Sequence, residues 1–188
     1  LLKRRVMLVK GLAESQTHLA EHSELPLIVY NVPGRTGVSC TPEHYARLAE
    51  IPRINGVKEA SGDISLVSRT RHLCGDALNI WSGNDDQTLP MLALGAKGVI
   101  SVASNIVPQV MATLCAAALS GDFFTARAIH EAYAGLFDAL FYEVNPIPVK
   151  TAMQMLGWDS GRLRLPLCPM AEGNAAKLQN CLESLQLL

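Results

Sequence analysis

Four short apolar runs, each followed by a helical stretch, constrain this chain more than any other feature. Leu27-Ile28-Val29-Tyr30 closes on Asn31-Val32-Pro33-Gly34. Ile54 to Ala60 comes next, then Leu78-Asn79-Ile80-Trp81 closing on Ser82-Gly83-Asn84-Asp85, and finally Val99-Ile100-Ser101-Val102. Short runs rich in β-branched residues and bounded by Gly, Pro, Asn or Ser predict strands. Thr41-Pro42-Glu43 opens a helix with an N-cap threonine and a proline at its first position. Further helices are predicted from about Ile64 to Leu73, ended by Cys74-Gly75, through Leu89, Met91, Leu92 and Leu94 as far as Gly95, and from Val107 to Leu119. Strands that stay apolar along their length and alternate with helices predict a parallel sheet, which places the chain in the α/β class.

From Asp122 onward the strand signals stop. Residues 122 to 143 predict a helix whose apolar face includes Phe124, Ile129, Leu136 and Leu140. Asn145-Pro146-Ile147-Pro148 breaks it, Val149 to Leu156 begins another, and a last helix runs from about Ala171 to Leu185. The expected organisation is therefore a β/α region over residues 1–121 and a helical region over 122–188. His18 to His22 look like the end of an earlier helix, and residues 1 to 17 give no clear signal.

Composition narrows the class of function. A formal charge of −1 over 188 residues gives no electrostatic case for nucleic acid or an anionic membrane. The one basic cluster, Lys3, Arg4, Arg5 and Lys10, lacks interleaved aromatics and suits a solvated terminus. Five cysteines (Cys40, Cys74, Cys115, Cys168 and Cys181) are odd in number, widely spaced and without a CxxC pair. They argue against a disulfide framework or a zinc site and fit a reducing cytoplasm. The opening Leu1-Leu2-Lys3-Arg4-Arg5 has no long apolar stretch behind it, so no signal peptide is expected. The uncharged stretch from Gly98 to Gly121 is long enough to cross a bilayer, but Asn105, Pro108 and Gln109 interrupt it. A buried strand followed by a buried helix explains it better.

Each of the four strands ends in polar residues: Tyr30 with Asn31, Lys58 with Glu59, Ser82-Gly83-Asn84, and Ser101 with Ser104-Asn105. Active sites of parallel sheets and barrels collect at that end. A lysine in a dry pocket loses its charge more easily, and a neutral amine attacks a ketone to form a Schiff base. Alternation sets Ile28 with Tyr30 on one face and Gly56 with Lys58 on one face. Their strands, being consecutive, are expected to neighbour one another, which makes phenol and amine a candidate proton-relay pair. The plainer alternative makes Tyr30 a strand-end aromatic and Lys58 a loop charge in water.

The residues also carry a resemblance. Tyr30-Asn31-Val32-Pro33-Gly34-Arg35-Thr36-Gly37, followed by Gly56-Val57-Lys58-Glu59-Ala60-Ser61-Gly62, resembles the dihydrodipicolinate synthase family, class I aldolase-type lyases related to N-acetylneuraminate lyase. Ser82-Gly83-Asn84-Asp85, Gly98-Val99-Ile100-Ser101-Val102 and Asn145-Pro146-Ile147-Pro148-Val149-Lys150 resemble it too, in the same order. The likeness runs from about His18 to the end.

The resemblance implies a parallel (β/α) barrel of the TIM type with extra carboxyl-terminal helices. It implies Lys58 as the Schiff-base lysine for pyruvate, and Tyr30 as the residue that relays protons when the enamine attacks aspartate semialdehyde. Arg35 is implied to hold the semialdehyde carboxylate, and the backbone around Gly83 and Ile100 to line the pyruvate end. No metal and no cofactor other than the covalent Schiff base is implied, and the expected assembly is a homo-oligomer, a tetramer or dimer as in the family. Arg35 favours the synthase over a sialic-acid or keto-sugar-acid aldolase, which stays an alternative. Only about four β/α units are present, whereas such a barrel takes about 250 residues. Four strands cannot close a cylinder, so two edges and the inner face are expected to lie open. A non-catalytic remnant or assembly partner is therefore a further alternative, and the expectation is poor folding or association with little synthase activity.

Overall fold

The structure, a computed structural model, describes residues 14–188. The basic cluster Lys3 to Lys10 and the opening segment lie outside the described residues. The chain divides into two compact units, the first ending at Ile100 and the second starting at Ser101.

In the first unit a helix, α1, occupies residues 14–21 and stops before Ser23, as the sequence predicts. Then come β1 (Leu27–Asn31), a single turn α2 (Pro33–Thr36), α3 (Pro42–Ala49), β2 (Ile54–Glu59), α4 (Ile64–Cys74), β3 (Asn79–Ser82) and α5 (Thr88–Ala93). Local chemistry sets the helix starts. The Thr41 side chain accepts from the His44 N–H, while the His44 ring accepts from the Thr41 N–H, closing a reciprocal cap. Asp63 accepts from the Leu66 N–H at 2.9 Å and starts α4. Gly75, at φ +54, ends it.

The three strands form a parallel sheet in the order β1-β2-β3. The predicted fourth strand is reduced to a single parallel bridge, Ser82 to Val99. Residues 97 to 100 do follow β3 through backbone bonds, Lys97 N–H to Ile80, Gly98 C=O to Ser82, and Ile100 N–H to Ser82. By Ala103–Asn105 the chain is already in a 3₁₀ turn, so the ladder has no length in which to continue.

Alternation divides the sheet into two unlike faces. Val29, Val57 and Ile80 pack with Tyr45 and Leu48 of α3 and Leu66 and Val67 of α4 in one buried cluster. The opposite face carries Ile28, Tyr30, Gly56, Lys58, Asn79 and Trp81 in register. It is open: Ile28 and Tyr30 are each 47% exposed. Gly56 is required there, because a Cβ would sit 2.2 Å from the Asn79 carbonyl oxygen and 2.7 Å from the Trp81 ring.

The second unit is helical: α6 (Pro108–Leu119), α7 (Phe123–Ala139), α8 (Ile147–Met155) and α9 (Glu172–Ser184). Leu114, Leu136, Leu140, Leu178 and Leu182 are fully buried. Phe124 does not join that core; it is 76% exposed. At 100° per residue it lies roughly 120–160° round the helix from Leu136 and Leu140, and it meets the Arg127 guanidinium instead. No helix among the described residues is long and apolar enough to cross a membrane, and the 98–121 stretch resolves into the Val99 bridge and the 12-residue α6.

Candidate active site

Lys58 is the second-last residue of β2, on the open face of the sheet. Parallel pairing puts it opposite Tyr30 on β1 and Trp81 on β3, so all three side chains leave the same side. The Lys58 Nζ lies 4.5 Å from the Tyr30 ring centroid. No hydrogen bond joins amine and phenol; the contact is with the ring face, an arrangement that favours a cation weakly. Burial pulls the Lys58 amine below the ordinary lysine range. The Arg35 guanidinium pushes it further the same way, while the Asp85 carboxylate pushes back.

Backbone closes round this amine. A Cβ on Gly83 would meet the Lys58 Cε at 3.1 Å and the Ala60 Cβ at 2.6 Å, so the loop after β3 can approach the lysine stem only with glycine there. The Gly83 N–H donates to the Glu59 carbonyl at 2.7 Å, and the Ile100 N–H to the Ser82 carbonyl at 2.8 Å. Arg35 sits exposed in α2, a turn begun by Pro33 and closed by Gly37 at φ +69. Lys58, Tyr30 and Gly83 are thus in contact or register, Arg35 acts on the amine through its field, and Ile100 flanks the same strand ends.

Two neighbours of the amine carry no separate signal in the sequence. Trp81 reads as one more apolar strand residue, yet the register sets it beside Lys58. Asp85 reads as a loop acid after β3, yet it is 1% exposed and its charge acts on Lys58. An acid two residues past a glycine at a strand end was the available hint. Elsewhere in the first unit, His18, Glu21 and His22 bring three possible metal-ligand atoms within 4.8 Å of one another, all on exposed residues.

The far face of the same strand ends holds a buried polar group. Glu59, 3% exposed, accepts from both Asn31 and Tyr45 side chains and from the Ser61 N–H. The Asn31 side-chain oxygen in turn accepts from the Cys40 N–H at 3.1 Å. Burial, with the Glu59 charge nearby, raises the Cys40 thiol to about 11 and drives the Tyr45 phenol upward.

Comparison with known proteins gives a consistent result. The profile of the Dihydrodipicolinate synthetase family matches residues 8–185, so the likeness begins earlier than the start expected at about His18. The chain is 48% identical to a 4-hydroxy-tetrahydrodipicolinate synthase of Geobacter sulfurreducens, over 95% of this chain and 62% of that protein. It superposes with a TM-score of 0.93 on a dihydrodipicolinate synthase of Thermotoga maritima, 43% identical, covering 96% of this chain and 62% of that one. A chloride-inhibited dihydrodipicolinate synthase of Acinetobacter baumannii, complexed with pyruvate, superposes equally well at 40% identity, over 96% of this chain and 62% of its own. The chain thus spans about 62% of the length of such relatives. Its fold is part of a parallel (β/α) barrel of the TIM type with a carboxyl-terminal helical extension.

Proposed function

Since this chain belongs to the dihydrodipicolinate synthetase family, we propose that it acts as a pyruvate-dependent Schiff-base lyase, condensing pyruvate with aspartate semialdehyde to 4-hydroxy-tetrahydrodipicolinate on the route to lysine. The observation that carries this reading is the half-buried Lys58 amine, kept below its ordinary range beside the Tyr30 ring. The likeness to a synthase complexed with pyruvate supports the choice of ketone.

The chemistry follows from that geometry. A neutral Lys58 amine adds to the ketone carbon of pyruvate, and the carbinolamine takes up a proton and loses water to leave an iminium. The iminium withdraws electrons, a methyl proton leaves, and the resulting enamine carbon attacks the aldehyde. On this reading Tyr30 carries protons to and from the oxygen that becomes charged. Arg35 supplies a planar fork of donors for the carboxylate of the incoming aldehyde. The reaction needs no metal and no cofactor beyond the covalent adduct.

The test is reduction with borohydride in the presence of pyruvate, read by mass spectrometry. A pyruvate-derived adduct on Lys58 is expected, none in Lys58→Ala, and a retained adduct with slower condensation in Tyr30→Phe. Turnover with aspartate semialdehyde but not with sugar aldehydes separates this activity from that of a keto-sugar-acid aldolase. A folded sample that forms no adduct would sink the reading.

One observation favours a second reading, a non-catalytic partner of another barrel surface. Ile28, Tyr30 and Ile100 are 47%, 47% and 37% exposed, so the face bearing Lys58 is not enclosed. Under that reading a folded sample forms no pyruvate adduct on Lys58.

A further inference from the structure

We propose that Glu59 is a positioning residue for Lys58, its buried carboxylate fixing the ends of β1 and β2 from behind the sheet so that the amine is held over Tyr30. The proposal deepens the Schiff-base reading and rests on it for its functional meaning.

Among the described residues, each side chain or backbone group that hydrogen-bonds this carboxylate donates to it. Asn31 Nδ2 donates to both carboxylate oxygens at 3.0 Å, the Ser61 N–H donates to Oε1 at 2.7 Å, and the Tyr45 hydroxyl donates to Oε2. Such a ring of donors suits an acceptor-only group and no amide. Asn31 is itself held from the other side, its oxygen accepting from the Cys40 N–H. The backbone is tied at the same level: the Ala60 N–H donates to the Asn31 carbonyl at 2.9 Å and the Gly83 N–H to the Glu59 carbonyl at 2.7 Å. Three strand ends therefore converge on one residue.

Placement explains what this accomplishes. Asn31 pairs with Glu59 one step beyond the Tyr30–Lys58 pair, and Glu59 pairs with Ser82 one step beyond Lys58–Trp81. Successive side chains point to opposite faces, so pinning Glu59 on the covered face fixes the direction in which Lys58 leaves the open one. Glu59 is buried, and Tyr45, one of its donors, belongs to the apolar cluster that includes Val29, Leu48 and Val57. A carboxylate there is costly to bury, and an apolar group of similar size is often at least as stable. What it contributes is a unique arrangement, one that a greasy contact would leave free to slide.

The test reads the titration of Lys58 in the 188-residue chain, by acylating amines over a pH series and quantifying the Lys58 peptide by mass spectrometry, with exposed Lys177 as internal reference. Among the described residues, Tyr30 from β1, Arg35 from α2 and Asp85 after β3 are the ionisable groups that face this amine, and all stay in place. Glu59→Gln and Asn31→Ala are each expected to move the Lys58 midpoint up towards the ordinary lysine value by about half a pH unit or more, as the stem swings into water. Merely deleting a nearby anion would move it down, so the sign separates positioning from a direct field effect. Val67→Ala, a core truncation away from this network, is expected to lower the melting temperature and leave the midpoint unchanged. If Glu59→Gln fails to fold, Tyr45→Phe, which keeps the other donors, is expected to shift the midpoint in the same upward direction by less. Unmoved midpoints in the folded variants, or an equal movement in Val67→Ala, would overturn the proposal. Pyruvate has no part in this readout, so a failed borohydride trap would remove the enzyme reading and leave the positioning result standing.

Discussion

Lys58 and Cys40 sit on opposite faces of one short sheet, and burial moves them in opposite directions. The lysine is lowered, so between its folded value and the ordinary value of 10.5 the unfolded chain binds more protons. Stability therefore rises with pH through that window, and below it the folded chain bears a charge it would rather lose. Lys58→Met is accordingly expected to raise the urea midpoint at neutral pH while abolishing any pyruvate adduct, which equilibrium unfolding would check. Cys40 is raised from 9.0 to about 11. Its stabilisation is complete below about pH 9 and is lost as pH climbs towards 11, because the unfolded thiol ionises first. Cys40→Ala is expected to flatten the alkaline limb of the stability curve by up to about 2–3 kcal/mol, measured by urea titration at pH 8 and pH 11. Gly56→Ala brings a methyl within 2.2 Å of a backbone oxygen on the neighbouring strand. No rotamer relieves that clash, so a loss of about 3 kcal/mol or more is expected in chemical denaturation.

At the scale of elements, starts and stops were the most legible features, since each is a local contact. Thr41-Pro42, Asp63 and Asp122 all begin helices where their chemistry requires, Asp122 by accepting from the Thr125 N–H at 3.0 Å. Asp122→Ala leaves that donor to water and is expected to cost about 1 kcal/mol, read as a lower melting temperature. Features that depend on phase or on length of pairing were less legible. Phe124 belongs to an apolar helix but lies on its wrong side. Val99 to Val102 has strand composition, yet pairing ends at one bridge because the backbone turns into a 3₁₀ segment within four residues.

For the whole molecule, one face of the sheet is covered by α3 and α4 and the other presents Ile28, Tyr30 and Trp81 round the amine. Among the described residues β1 has a strand neighbour on one side only, an arrangement that invites pairing with another chain. Concentration-dependent self-association is therefore expected in size-exclusion chromatography. Ile28→Lys, which charges the open face away from the covered core, is expected to weaken it. Arg35, Gly83 and Ile100 came in only through the family resemblance, whereas the sequence's own pattern determined the α/β class, the helix starts and the setting of Lys58 and Tyr30 at consecutive strand ends. Those follow from residue type, period and order along the chain, which are local properties. Only the tertiary structure decided that Tyr30, Lys58 and Trp81 share one register, that Asp85 is buried within electrostatic reach of the amine, and that Glu59 gathers donors from Asn31, Tyr45 and Ser61. Strand register and burial arise between segments far apart in sequence, where no local pattern records them.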